Sequence, residues 1–342
     1  MVNLEVRAQD AFDVPAFGQW LAQAVPGLGD ITAIKQFAGG ASNLTFQIDC
    51  ANDSVVLRTS PTGRKASGAH DMQREARLLS ALRPHYDKVP EVLAVAGEQS
   101  PLGRPLFISE FVRGEILRRD VPSTAPVAQM ADTFITAFVD LHAVDTTTGE
   151  LSAFNKGTGY VRRQVDGWSS RYRQARTPDV PDAESVMGWL DARQPADVAS
   201  CVIHNDWRFD NMVLDPEDLS HIKAVLDWEL ATVGDPFMDL GSALAYWVQA
   251  DDDEGMLAFR MQPSTAPGMP TREQFVDEYC RRAGRQRPDW LFYEVYGLFR
   301  LAGIAVQIWY RYYHGQTDNP RFAVFGPAVQ YLIARCERLI GQ

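Results

Sequence analysis

The stretch His204-Asn205-Asp206-Trp207-Arg208-Phe209-Asp210-Asn211, followed by Val225-Leu226-Asp227-Trp228-Glu229, decides the reading of this chain. Asp206 stands five residues before Asn211, and Asp227 closes an apolar run. Residues 200–203 (Ser-Cys-Val-Ile), 212–216 (Met-Val-Leu-Asp-Pro) and 222–226 (Ile-Lys-Ala-Val-Leu) read as three short strands, the second stopped by its Asp-Pro. Asp206 and Asn211 then sit on the loop joining the first two, and Asp227 at the end of the third. Polar groups on loops held by a β scaffold commonly carry function. Asp and Asn are also ordinary turn formers, and one Asp alone would signify no more than a turn.

The three groups in this order suit one chemistry. Phosphoryl transfer from a nucleotide needs a carboxylate that orients and deprotonates an attacking hydroxyl, and hard oxygen ligands that hold Mg²⁺ on the phosphates. Asp206 fits the first role; Asn211 and Asp227 fit the second. Eukaryotic-type kinases use the same chain order.

On these motifs the chain resembles the aminoglycoside phosphotransferase/choline kinase-like family of small-molecule kinases, a branch of the protein-kinase-like fold. Within it, Val56-Leu57-Arg58-Thr59-Ser60-Pro61 through Ala69-His70 and Arg74-Glu75 resembles the kinase-like domains fused to, or encoded with, acyl-CoA dehydrogenases. The resemblance runs from about Ile34 to the C-terminus. It implies an α+β, two-lobed fold. An N-terminal nucleotide-covering lobe, residues 1–110, is expected as an antiparallel sheet with one key helix. A mostly helical C-terminal lobe, residues 111–342, is expected to carry the catalytic loop and the acceptor pocket. ATP or GTP as co-substrate, Mg²⁺ and a small-molecule hydroxyl acceptor follow from the same resemblance. The acceptor class is left open between a hydroxyacyl-CoA or related metabolite and an aminoglycoside. A nucleotide-binding pseudokinase and a partner of a fatty-acid oxidation enzyme are the non-catalytic alternatives.

Particular positions can be placed on that frame. Residues 12–26 read as a leading helix capped by Asp13, with Pro15 in its first turn. Residues 31–37 and 44–48 alternate like strands around Ala38-Gly39-Gly40-Ala41-Ser42-Asn43. Ser42 and Asn43 are candidate phosphate contacts there; a plain hairpin bend is the other reading. Ser54-Val55-Val56-Leu57-Arg58 is a β-branched strand, and Arg58 stands where kinases place a phosphate-binding lysine. Residues 72–82 carry a helical pattern behind Asp71, with Glu75 on the apolar face beside Met72, Ala76 and Leu79. A carboxylate there needs a cation, and Arg58 is the natural partner, with Arg74 and Arg77 as local alternatives. Leu106 to Gly114 resembles the kinase hinge, where backbone groups of Glu110 and Val112 would read the nucleotide base. His204 and Asp239, the latter in Gly234-Asp235-Pro236-Phe237-Met238-Asp239-Leu240, are expected to support the site rather than react. The Trp309, Tyr310, Tyr312 and Tyr313 cluster reads equally as acceptor wall or core.

Composition narrows the setting. A net charge of −11 argues against a nucleic-acid partner, which would need a basic face. The four cysteines are scattered without metal-ligand spacing, as expected of reduced cytoplasmic thiols. Residues 1–7 show no basic-then-apolar signal. No uninterrupted apolar run reaches the roughly 18 residues of a membrane span, so no membrane partner is expected. Association with an acyl-CoA dehydrogenase is expected from the subgroup resemblance alone.

Overall fold

The computed structural model describes residues 3–4, 6–37, 43–61 and 71–341. Ser42, Gly39 and Gly40 of the glycine turn, and the 62–70 link, lie outside the described residues. Along the chain come β1 (Asn3–Leu4), α1 (Val14–Ala24), β2 (Ile31–Phe37), β3 (Leu44–Cys50), β4 (Ser54–Thr59), α2 (Met72–Leu82), β5 (Val92–Ala96) and β6 (Leu106–Glu110). Next are α3 (Val127–His142), α4 (Tyr160–Ala175), α5 (Glu184–Ala192), β7 (Cys201–Ile203), β8 (Met212–Leu214), β9 (Ile222–Val225) and β10 (Thr232–Gly234). The chain finishes with α6 (Pro236–Leu244), α7 (Glu254–Ala258), α8 (Arg272–Arg282), α9 (Trp290–Tyr313) and α10 (Phe325–Ile340).

These elements pack as two compact units. The first comprises Met1–Ile116, Thr148–Leu151 and Asn211–Ala231; the second comprises Leu117–Thr147, Ser152–Asp210 and Thr232–Gln342. The expected C-terminal stretch, 111–342, is thereby shared between them. Asn211 and Asp227 belong to the first unit and Asp206 to the second. Main-chain pairing explains the grouping. Leu214 and Glu115 exchange two backbone hydrogen bonds, at 2.8 and 2.9 Å, and Val225 N–H donates to the Lys88 carbonyl at 2.7 Å. Trp228 sets its ring edge-on to Tyr86 at 6.3 Å.

The first unit is built on an antiparallel sheet in the order β1-β2-β3-β4-β6-β5. Its side chains obey the period of two. Val55 and Leu57 of β4 join Phe46, Ile48, Leu106 and Ile108 in a core closed by Phe17 and Leu21 of α1. Arg58, one residue on, is turned to the opposite face. α2 lies against β5 and β6, and its N-terminus is capped by Asp71, which accepts from Arg74 N–H at 2.9 Å. Asp13 caps α1 in the same way through Ala16 N–H, with Pro15 in the first turn.

In the second unit β7 pairs with β10, and α9 runs as a spine against α4, α5, α6 and α10. A Cβ on Gly297 would strike the Gly241 carbonyl, so glycine is what lets α6 and α9 approach so closely. By length and composition α9 is also apolar enough to cross a membrane, although 67% of its apolar window is buried within the protein. A search for uninterrupted apolar runs misses it, because Glu294, Arg300 and Arg311 punctuate the helix.

The hairpin of β8 and β9 depends on one small residue. A Cβ on Gly114 would collide with the Leu214 carbonyl and lie 2.6 Å from Val213 Cγ1. Gly114→Ala is therefore expected to lower unfolding free energy by about 1–3 kcal/mol through overpacking. A urea midpoint equal to that of the parent protein would show that this contact is not tight.

Candidate active site

In the first unit the site is organised around Arg58. The pleat of β4 sends its side chain away from the Val55/Leu57 core, and the guanidinium reaches three carboxylates. Nη1 lies 3.3 Å from Glu75, and Nη2 lies 3.1 Å from Asp227 and 3.3 Å from Glu229. Glu75 enters from the apolar face of α2 and is only 2% exposed, whereas Asp227 is 42% exposed. The cluster thus sets three carboxyl groups around one guanidinium. Burial works to lower the Arg58 pKa, but Glu75, Asp227 and Glu229 together raise it, so the guanidinium stays charged. Burial, opposed by Arg58 and reinforced by Asp227, pushes the Glu75 carboxyl up to about 7. Among the described residues, Glu75 Oε2 and Arg58 Nε are buried without a hydrogen-bond partner.

Local backbone explains how Asp227 gets there. It follows β9 and adopts a left-handed conformation (φ 66°, ψ 58°), a region in which Asp and Asn are enriched among non-glycine residues. Leu226 N–H donates to the Asn211 carbonyl at 2.7 Å, tying the start of β8 to the end of β9. Asn43 donates to Glu229 Oε2 at 2.5 Å, so this candidate phosphate contact is engaged with the acidic cluster. At the expected hinge, Glu110 gives its backbone N–H to Glu91 at 2.9 Å, and its side chain accepts from Glu91 N–H at 3.0 Å. Val112 follows in the irregular segment after β6.

In the second unit the loop after β7 alternates between anchors and functional groups. Trp207 and Phe209 are buried, stacking on Phe138 at 4.7 Å and Phe134 at 4.4 Å. Asp206, Arg208 and Asp210 alternate with those anchors along the chain. Arg208 Nε is 3.3 Å from Asp206 and 3.2 Å from Asp210, and its guanidinium stands 4.6 Å over the Tyr246 ring. Burial raises the Asp210 carboxyl, with Arg208 opposing. Asp239, fully buried, accepts from the backbone N–H of His204 at 2.6 Å and of Asn205 at 2.7 Å. His142 bridges Asp239 (3.2 Å) and Tyr279 (2.7 Å) behind it. His204 is buried, and its Nδ1 accepts from Asp206 N–H at 3.2 Å. That contact leaves His204 Nδ1 occupied by the loop's own backbone.

Several of these groups escaped the sequence reading. Glu229 had a visible signal, two residues after Asp227 and at the same strand end. Arg208, flanked by acids at both second neighbours, had one too. The aromatic cluster of α9 packs largely on itself and its neighbours. Trp309 donates to Asp179 at 3.3 Å and lies 5.6 Å from Tyr312, while the Tyr310 ring is tilted against His314 at 4.3 Å.

An antiparallel sheet unit with a cation–helix carboxylate pair, and a helical unit with a braced Asp loop, define a protein of the protein-kinase-like fold. The chain belongs to the phosphotransferase enzyme family, whose model matches residues 33–294. It is similar to acyl-CoA dehydrogenase family member 10 of Mus musculus, with 34% identity over 291 residues, covering 84% of this chain and 27% of that protein. It is likewise similar to acyl-CoA dehydrogenase family member 11 of Homo sapiens, with 31% identity over 340 residues, covering 96% of this chain and 43% of that protein. The chain therefore spans less than half the length of these curated relatives. A solved structure from Ralstonia eutropha JMP134, provisionally named an aminoglycoside phosphotransferase, aligns with a TM-score of 0.80 and 27% identity over 96% of this chain and 98% of that one. A thermostable mutant of aminoglycoside phosphotransferase APH(4)-Ia, in ternary complex with AMP-PNP and hygromycin B, shares the fold at a TM-score of 0.57 and 17% identity, over 95% of this chain and 98% of that one.

The raised Glu75 pKa has a signed consequence. An unfolded chain releases this proton near the ordinary 4.5, the folded protein near 7. Between those values the native state binds more protons, so its stability falls as pH rises. Glu75→Gln removes the effect. Its stability relative to the parent protein should climb from pH 4.5 to 7 by at most about 3 kcal/mol. Urea unfolding at pH 5 and pH 8 checks this; an equal difference at both would mean that Glu75 is ionised throughout.

Proposed function

We propose that the protein is a small-molecule kinase that transfers the γ-phosphoryl group of ATP or GTP to a substrate hydroxyl. The observation that carries this reading is the surplus of carboxylates around Arg58. Two of its three acids, Asp227 and Glu229, follow β9 directly, and the Asn211 carbonyl is hydrogen-bonded beside them at Leu226. Among the described residues no group of three or more His, Cys, Asp or Glu side chains is arranged to hold a metal ion by itself. Mg²⁺ does not require one: it commonly takes one or two carboxylates, with phosphate oxygens and water completing its shell. Asn211, Asp227 and Glu229 supply hard oxygens of that kind, and their net charge favours a divalent cation. When bound, Mg²⁺ would neutralise charge on the nucleotide phosphates.

In this reading the first unit binds the nucleotide. Arg58, steadied by Glu75, pairs with the α- and β-phosphates. The Glu110 carbonyl and Val112 N–H address the base, and the Ser42/Asn43 turn covers the phosphates. Asp206 accepts the proton of the acceptor hydroxyl as that oxygen bonds to the γ-phosphorus. The bond from the γ-phosphorus to the β,γ-bridging oxygen breaks, and the nucleoside diphosphate leaves. Positioning and charge stabilisation supply the rate.

For the acceptor, the two acyl-CoA dehydrogenase relatives favour a hydroxylated acyl thioester or a related metabolite. The same relatives suggest association with an acyl-CoA dehydrogenase. The name of the Ralstonia structure supports an aminoglycoside as the second choice. A shared fold does not carry one member's chemistry to another.

The test is release of ADP or GDP by the purified protein with Mg²⁺ and separate pools of hydroxyacyl-CoAs, aminoglycosides, amino alcohols and sugars. Acceptor-dependent release is expected, falling by roughly 10²–10⁴-fold in Asp206→Asn. Asp227→Ala is expected to abolish Mg²⁺-dependent nucleotide binding. An Asp206→Asn protein with undiminished turnover would sink the base assignment. Nucleotide binding without turnover in any pool would make the chain a pseudokinase.

A further inference from the structure

We propose that Arg300 is a positioning residue for Asp206, acting by holding the peptide plane on which Asp206 is mounted. The inference rests on the reading of Asp206 as the general base. Arg300 lies on the buried side of α9, within the run Val295–Val306, and is 3% exposed. A guanidinium is an expensive group to bury without a carboxylate. Among the described residues its partners are the Asn205 carbonyl, 2.8 Å from Nη2, and the Trp168 ring, 5.3 Å from the guanidinium carbon.

The Asn205 carbonyl belongs to the peptide that leads into Asp206. The other end of that peptide, Asp206 N–H, donates to His204 Nδ1 at 3.2 Å. The plane is therefore held at its oxygen by Arg300 and at its nitrogen by His204. The preceding N–H groups, of His204 and Asn205, both go to buried Asp239. Asn205 itself is left-handed (φ 66°), a conformation that persists only when its surroundings impose it. Asp239 draws the N–H side of Asn205 and Arg300 draws its C=O side. The peptide planes before and after Asn205 are thus each pinned, the first by Asp239 and the second by Arg300, which sets the direction in which the Asp206 side chain departs. The Trp168 ring of α4 lies against the guanidinium while Nη2 reaches the loop.

A residue kept only for stability would behave differently. Replacing this guanidinium by an apolar side chain of similar length relieves the burial of a charge, but it leaves the Asn205 carbonyl without that donor, at a cost of about 1–3 kcal/mol. Arg300→Met should therefore stay folded, with a melting temperature lowered by no more than roughly 10 °C. Its kcat for phosphoryl transfer should nevertheless fall roughly 10–100-fold, with nucleotide KM changed by less than about twofold. Arg300→Lys, which keeps a donor and a charge, should recover part of that loss. Amide exchange in residues 203–209 should be roughly tenfold faster in Arg300→Met.

Parent-like kcat and exchange in Arg300→Met would overturn the proposal. So would a nucleotide KM worsened as much as kcat together with a larger fall in melting temperature, which marks a general folding role. Should the parent protein show no Asp206-dependent turnover, the kinase reading falls on its own. Exchange at 203–209 then decides the clamp: acceleration in Arg300→Met supports it, and unchanged exchange removes it.

Discussion

One guanidinium facing three carboxylates is the constraint on which the first unit turns. Arg58 draws Glu75 from α2, and Asp227 and Glu229 from the segment after β9, onto one face of the sheet. Without it, Glu75 would be a buried acid on the apolar face of α2, and the two later acids would repel each other. With it, the cluster still carries excess negative charge. That excess is tolerable where Asp227 remains half open to water, and it leaves the cluster complementary to a further cation. The left-handed backbone at Asp227 belongs to the same economy of position: a strained residue is kept where the surrounding contacts determine it.

The second unit solves a different problem, that of presenting a carboxylate on a loop without letting the loop move. Hydrophobic anchoring does the coarse work. Trp207 and Phe209 are driven into the aromatic nest around Phe134 and Phe138, and alternation leaves Asp206, Arg208 and Asp210 on the other side of the chain. Charged hydrogen bonds do the fine work. Asp239 is fully buried, so its bonds to two backbone N–H groups act in a weakly screened environment. Its placement is secured in turn by α6, whose first turn is capped by Asp235 through Phe237 and Met238 N–H and opened by Pro236.

Much of this was legible in the sequence because the elements are locally determined. Asp13 before a Pro-bearing turn, Asp71 before an amphipathic run, and the alternation of β4 each specify their element with few residues, and each formed where the pattern placed it. The pairing of Arg58 with Glu75 was readable for the same reason: period two in the strand and three-four spacing in the helix leave each charge on a defined face. Harder to see were features set by contacts between distant segments. Nothing local says that residues 211–231 pack with residues 1–116; that follows from Leu214 meeting Glu115 and Val225 meeting Lys88. Arg300 looked like one charge in an apolar stripe, because its meaning depends on a carbonyl 95 residues away.

The arginine at position 58 is best understood through the fork it presents. A lysine offers one ammonium, a compact and strongly hydrated charge that satisfies one or two acids at close range. The two ends of the guanidinium here serve different partners: Nη1 faces Glu75, and Nη2 faces Asp227 and Glu229. Spanning acids from two elements at once is a task for a planar group of this width. Glu229 makes sense in the same light, since it supplies the third acid and takes the Asn43 amide as well. The arginine thus comes with a broad acidic partner set, and the two features are one arrangement: a wide cation, matched by more negative charge, with the excess left facing the side where Asp227 opens to water.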